Sequence, residues 1–321
     1  MTTDSGPAAP IMPAPIPEPM PSPVEPSGFR KAFVGPYGAR AGWRLALFVV
    51  LFLLILFLVQ RGVRLIPGLA AMAKQAHQRN AMTPVLSLVS ESVALASALL
   101  AAGIMGRIEK RPVRAYGMGW TGAFGRMFWQ GAAWGLAFEG VEILAIYAFG
   151  GFTLGTLALA GASLLKYAIL WAIAFSLVGM FEEFLFRGYA QFTLASGMGF
   201  WPAAVLLSAL FGAGHLSNPG EGWVGALSVF LFGMFACFTL RRTGNLWFAI
   251  GLHAAADYAE TFIFSVPNSG VLATGHLLNS SLHGPRWLAG GSIGPEGSVM
   301  CFVLFAIAFP VFHWTYPAKK A

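Results

Sequence analysis

Apolar runs long enough to cross a bilayer recur along this chain, and that recurrence constrains the fold more than any other feature. Eight candidates stand at about 43–60, 83–105, 127–149, 164–194, 200–216, 223–240, 245–264 and 297–316. The third, fifth and seventh carry the weakest apolar signal. Inside hydrocarbon every backbone N–H and C=O must find its partner within the protein, so each run is read as helix. The predicted fold is therefore all-α: a polytopic transmembrane helix bundle of about eight spans. Composition agrees, since 57% of residues are hydrophobic and 10% are charged. Charged or Gly/Pro-rich connectors, such as 107–114, 218–222 and 241–245, break the apolar pattern.

The first 28 residues differ, holding nine of the 20 prolines and no apolar period. They are read as a disordered, Pro-rich cytoplasmic tail, with the transmembrane helical domain over 29–321 and its motif-bearing core over 164–264. A cleaved signal is not expected, because the first apolar run begins only near Trp43, behind this leader. With eight spans, the side shared by the termini collects Arg30, Lys31, Arg40, Arg44, Arg107, Lys110, Arg111, Arg114, Arg126, Arg241, Arg242, Lys319 and Lys320. Arg61, Arg64, Lys74, Arg79 and Arg286 fall opposite, which puts both termini in the cytoplasm. The formal charge of +7 then needs no nucleic-acid partner, because basic loops facing anionic lipid account for it. Cys237 and Cys301 both fall in predicted spans and are read as small apolar residues, not as a disulfide.

Three polar groupings interrupt the apolar runs: Glu182, Glu183 and Arg187; Phe211 and His215; and His253 and Asp257. Ionisable groups held in hydrocarbon are costly and mark functional sites by default. Helical spacing places Glu183 and Arg187 at i and i+4 on one face, where they can pair, and turns Glu182 about 100° away toward the bundle interior. His253 and Asp257 share a face in the same way. Phe211 is expected to stack on His215 one turn later and fix its ring. A rise of 1.5 Å per residue sets Glu182, His215, His253 and Asp257 at similar mid-layer depth.

A Glu, two His and an Asp around one semi-polar chamber suit hydrolysis of an amide or ester, with Glu182 taking a proton from water. Two versions of the remaining chemistry are open. In one, His215 helps hold the water while His253 and residue 257 donate hydrogen bonds to the tetrahedral oxyanion, which requires Asp257 to be protonated. In the other, His215, His253 and Asp257 hold a zinc ion that activates the water.

In order and spacing, Glu182-Glu183-Phe184-Leu185-Phe186-Arg187, Phe211-Gly212-Ala213-Gly214-His215 and His253-Ala254-Ala255-Ala256-Asp257 resemble the EExxxR, FxxxH and HxxxN/D motifs of one family. That family is the CAAX proteases and bacteriocin-processing enzymes (CPBP or Abi intramembrane proteases), which include the type II CAAX prenyl endopeptidase. The resemblance covers about 164–260. It implies a helical membrane protease acting on a membrane-associated peptide or protein, with Glu182 as base, His215 as its partner in positioning water, and the third motif near an oxyanion or a metal. Asp257 departs from the asparagine of the prenyl endopeptidase branch. A bacterial inner-membrane location is the expectation.

Outside these motifs, Glu91, Glu139 and Glu142 are read as structural carboxylates or cavity lining, and Glu260 as lying on a face offset from Asp257. His276 and His283 are expected to be solvated in the connector before the last span, and His313 to lie in an interfacial aromatic belt. Two other functional classes use similar groups: an ion-coupled transporter relaying protons through Glu, His and Asp, and a catalytically silent scaffold. No paired halves or repeated broken helices support the transporter.

Overall fold

The computed structural model describes residues 33–35, 38–79, 81–218 and 220–317, so the expected Pro-rich tail lies outside the described residues. The chain divides into two compact units, Met1–Arg40 and Ala41–Ala321. In the first, β1 (Val34–Gly35) pairs antiparallel with β2 (Gly38–Ala39).

The second unit is helical. In chain order its helices are α1 (Ala41–Val63), α2 (Pro67–Arg79), α3 (Pro84–Ile108), α4 (Arg126–Ala148), α5 (Gly161–Glu183), α6 (Gln191–Met198), α7 (Phe200–His215), α8 (Trp223–Thr243), α9 (Leu246–Tyr258), α10 (Arg286–Ala289) and α11 (Val299–Thr315). Every one of the expected apolar runs lies on a helix, but they differ in reach. Ala41–Val63, Pro84–Ile108, Arg126–Ala148, Gly161–Met198 and Trp223–Thr243 are long and apolar enough to cross a membrane, which makes five candidate spans among the described residues. Phe200–His215 and Val299–Thr315 are apolar but shorter. At 1.5 Å per residue, the 16 residues of α7 cover about 24 Å, less than the roughly 30 Å hydrocarbon core.

One of the three weakest sequence signals, the seventh, belongs to the most central helix. Leu246 to Ala256 of α9 are buried on every side, the behaviour of a helix that is apolar all round and enclosed by others. Its start is fixed locally. Gly244 closes α8 in the left-handed region at φ +66°, with its N–H donating to Leu240 O, and Asn245 Oδ1 accepts the Trp247 N–H at 2.9 Å. On its flank α4 approaches backbone to backbone. A Cβ at Gly131 would lie 2.0 Å from Phe248 O, one at Gly135 2.2 Å from Leu252 O, and one at Gly251 2.0 Å from Phe128 O. Small residues four apart permit this spacing, which is how apolar helices gain contact where lipid supplies no hydrophobic drive.

α1 sits at the other extreme. Leu47, Val50, Leu53, Leu54, Phe57 and Leu58 are exposed along it, an apolar band that water would penalise and acyl chains would cover. The helices alternate between two ends. One end carries Arg44, Glu109, Tyr116 and Tyr189 in a single network: the guanidinium lies 3.5 Å from Glu109, and both phenols donate to that carboxylate. At the opposite end the connectors form a folded layer. β3 (Ala81–Met82) pairs in parallel with β5 (Leu272–Ala273), and β4 (Phe152–Thr153) pairs antiparallel with β6 (Ser281–Leu282). Of the histidines expected to be solvated there, His283 is exposed, with Nε2 2.8 Å from Thr153 Oγ1, and His276 is half-buried, with Nδ1 2.7 Å from Leu278 O.

Candidate active site

α5 does not continue as regular α-helix through the first motif. Phe184–Ala190 winds as a π-helix, with Gly188 at φ −84°, ψ −105°, before α6 resumes. The expectation of an uninterrupted α-helix over 164–194 is corrected here. Such π segments are rare and gather at functional sites. Glu183 and Arg187 nevertheless close their ion pair at 3.1 Å, at 0% and 1% exposure. The guanidinium carbon also stands 4.3 Å from the centroid of Phe211, so Arg187 joins the first motif to the second through a cation–π contact. Gly233 of α8 makes room for it, since a Cβ there would fall 2.6 Å from Arg187 Nη2.

Glu183 has a second task that spacing along one helix did not show. His253 Nδ1 lies 2.8 Å from Glu183 Oε1, so an Nδ1–H donates to the buried carboxylate and Nε2 is turned the other way. Nε2 stands 3.6 Å from Glu182 Oε2 and 3.6 Å from Asp257 Oδ2. These separations exceed a direct hydrogen bond and leave the ring nitrogen between two carboxyls. Phe232 meets the imidazole edge-on at 4.8 Å and walls it from the side.

Glu182, His215, His253 and Asp257 all line one chamber of about 500 Å³, together with Phe211. Glu182 thus faces the chamber, with 23% of its side chain exposed, while Glu183 is sealed. His215 is the last residue of α7, and the chain turns at Leu216. Its Nδ1 lies 2.9 Å from Phe211 O, which leaves Nε2 for the chamber. Phe211 meets His215 edge-on at 4.7 Å, with planes at 74°, where a stacked pair was expected. The reason is Arg187, which occupies the face of that ring.

The chamber also takes in side chains that the motifs did not announce. Glu91 of α3, Glu139 of α4, Glu260, Asn268, Ser269 and Glu296 line it. Glu260 stands in a second π segment, Ala259–Ile263, that follows α9. Glu142 is buried but does not line the chamber. Asn268, Ser269 and Glu296 come from the connector between α9 and α11, whose Gly, Pro and Ser content reads as loop and gives no sign of returning. Glu296, outside the helices, has its carboxyl pushed up to about 8, first by burial and then by the charges of Glu221 and Asp257. Burial likewise raises Glu221, on the turn between α7 and α8.

A metal-ligating set of His215, His253 and Asp257 does not emerge. Among the described residues no three His, Cys, Asp or Glu side chains are gathered closely enough to hold an ion. His253 can offer only Nε2, because Nδ1 is engaged by Glu183. These residues do not fit a zinc centre as they stand. Cys237 and Cys301 are free and buried. What the arrangement offers is an accessible carboxyl, two oriented imidazoles and a second carboxyl around one shared chamber, which is equipment for moving protons on and off a bound reactant.

Comparison with known proteins found no matching curated relative and no matching solved structure. One family model does match, that of the type II CAAX prenyl endopeptidase Rce1-like proteins, over residues 163–259. The matched stretch runs from the first turn of α5 to the residue after α9, so Glu182, His215, His253 and Asp257 all lie within it. Over these residues the chain resembles the CPBP intramembrane proteases through the Rce1-like branch of that family.

Proposed function

We propose that this protein is an intramembrane endopeptidase that hydrolyses a peptide bond of a membrane-associated peptide or protein. The observation that carries the reading is the division of labour between the paired glutamates. Glu183 is sealed and already engaged by Arg187 and His253, whereas its neighbour Glu182 opens on the chamber beside His253 Nε2. A general base must be reachable by water and free of a permanent partner, and only Glu182 of the two meets both conditions.

The chemistry follows from these positions. A water in the chamber is held by His215 Nε2, since Nδ1 is fixed on the Phe211 carbonyl. Glu182 accepts its proton as the oxygen bonds to the scissile carbonyl carbon, and the carbonyl π pair becomes the oxyanion. His253, as an imidazolium with Nδ1–H on Glu183, donates its Nε2–H to that oxygen, and a protonated Asp257 donates beside it. When the tetrahedral intermediate collapses, the C–N bond breaks and Glu182 returns the proton to the leaving amine. A positioned base of this kind contributes about 10²–10⁴-fold to the rate.

Sidedness belongs to the same reading. Arg44, Arg107, Lys110, Arg111, Arg114, Arg126, Arg241 and Arg242 gather at the end of the bundle that carries the Glu109 network, and the positive-inside rule places that end in the cytoplasm. We propose a bacterial inner membrane as the setting.

The test is reconstitution in proteoliposomes with membrane-anchored candidate peptides, with fragments read by mass spectrometry. Wild type is expected to cleave, and Glu182→Ala and His215→Ala to lose at least about 100-fold in kcat. Cleavage persisting in both variants overturns the reading, and proton-coupled flux without cleavage favours a carrier.

A further inference from the structure

Asp257 stands where the prenyl endopeptidase branch carries an amide, and an amide reaches it from another part of the chain. Asn268 Nδ2 donates to Asp257 Oδ1 at 3.2 Å, and Asn268, 9% exposed, lines the same chamber as Glu182 and both histidines. Its place is built, not incidental. Asn268 opens a tight turn to Val271, closed by N–H donation in both directions, from Asn268 to Val271 O at 3.0 Å and from Val271 to Asn268 O at 2.9 Å. The two central residues, Ser269 and Gly270, take φ +45° and +78°, the signature of a type I′ turn. Glycine adopts such a backbone freely but serine does not, so surrounding contacts must hold Ser269 there. They do: Ser269 Oγ donates toward the Glu296 carboxyl, with both oxygens at 3.2 Å, Ser269 N–H donates to Glu296 Oε1 at 3.3 Å, and Gly270 N–H donates to Ile293 O at 2.7 Å. The connector before α11 therefore clamps the turn that presents the amide.

We propose that Asn268 is the positioning residue for Asp257, assigning the acidic proton to Oδ2, the oxygen that faces His253 and the reacting carbonyl. The inference rests on the protease reading, in which Asp257 donates to the oxyanion. A primary amide is a donor at nitrogen only, so the oxygen it meets must present a lone pair. With Oδ1 thus committed, the carboxylic proton belongs on Oδ2, which lies 3.6 Å from His253 Nε2. Without Asn268 the two oxygens become equivalent, and the carboxyl is free to rotate its proton away from the substrate.

A double-mutant cycle on kcat and KM tests this in the reconstituted full chain. Asn268→Ala is expected to lower kcat about tenfold or more with KM changed less than twofold, because the contact acts on the transition state and not on substrate binding. Asn268→Asp, equal in size but lacking the N–H, is expected to show a comparable loss, which separates donation from shape and supplies a second variant should alanine unfold the turn. In an Asp257→Ala background, which removes the group that Asn268 acts through, adding Asn268→Ala is expected to change the residual kcat less than twofold. Thermal unfolding of each variant is the folding control. Full kcat in both Asn268 variants, or losses that simply multiply in the double variant, overturns the proposal. Glu182→Ala run in parallel keeps the two claims apart. If it is inactive while the Asn268 variants match wild type, only this inference fails; if it cleaves like wild type, the protease reading fails and the inference falls with it.

Discussion

Single residues carry the account first, and the fully buried pair Glu183 and Arg187 is its anchor. Removing one member of a buried pair strands the other charge, at about 3–5 kcal/mol. Arg187→Ala is therefore expected to lower stability by roughly that amount, read by thermal unfolding in detergent, and loss below about 1 kcal/mol would contradict the pairing shown by the 3.1 Å contact. Arg187→Lys should not restore stability, because an ammonium lacks the planar, multi-donor group that pairs with Glu183 while standing 4.3 Å from the Phe211 centroid. Glu296 makes a pH-dependent contribution whose sign follows from its shift. Its carboxyl is raised to about 8, so the folded protein keeps a proton that the unfolded chain releases near pH 4. That stability is complete below the unfolded value and is lost as pH rises through about 8. The melting temperature should fall between pH 6 and pH 9, and Glu296→Gln should shrink the fall; an unchanged fall in that variant removes Glu296 from the explanation.

At the scale of elements, the helices were legible and their meeting was only partly so. Apolar length marks α1, α3, α4, α5 and α8 because lipid leaves the backbone no other choice. The i, i+4 spacing of Glu183 with Arg187 and of His253 with Asp257 was legible for the same reason, since it depends on one helix alone. The bond from His253 to Glu183 was not, because it joins residues 70 apart through the packing of α9 on α5. Nor does any residue type announce the π segments at Phe184–Ala190 and Ala259–Ile263. The connector that delivers Asn268 and Glu296 has no period to read, and its shape is fixed by pairing with distant strands such as Ala81–Met82. The seam between α4 and α9 gives this scale its prediction. Gly131→Val or Gly135→Val would drive side-chain atoms into the carbonyls of Phe248 or Leu252, at a cost of about 3 kcal/mol or more. Because α9 bears His253 and Asp257, cleavage should fall together with stability. A variant of wild-type stability would show that the two helices do not touch as closely as the structure has them.

At the largest scale, within Ala41–Ala321, the apolar band on α1, the basic end and the folded connector layer opposite describe a helical bundle around a polar chamber, with an apolar outer surface suited to lipid. The chamber's donors are arranged for proton transfer rather than as a ligand set, so metal analysis of active, chelator-treated protein should find zinc well below one ion per chain with activity intact. Activity lost to the chelator and restored by zinc would return the metal route. The most direct measurement of the central claim is the rate at which reconstituted wild type and Glu182→Gln cleave the same membrane-anchored peptide, with both proteins matched in melting temperature. Glutamine keeps the size and polarity of the side chain but cannot take a proton, so the account predicts a loss of at least about 100-fold in kcat. Glu182→Gln cleaving at the wild-type rate would contradict it.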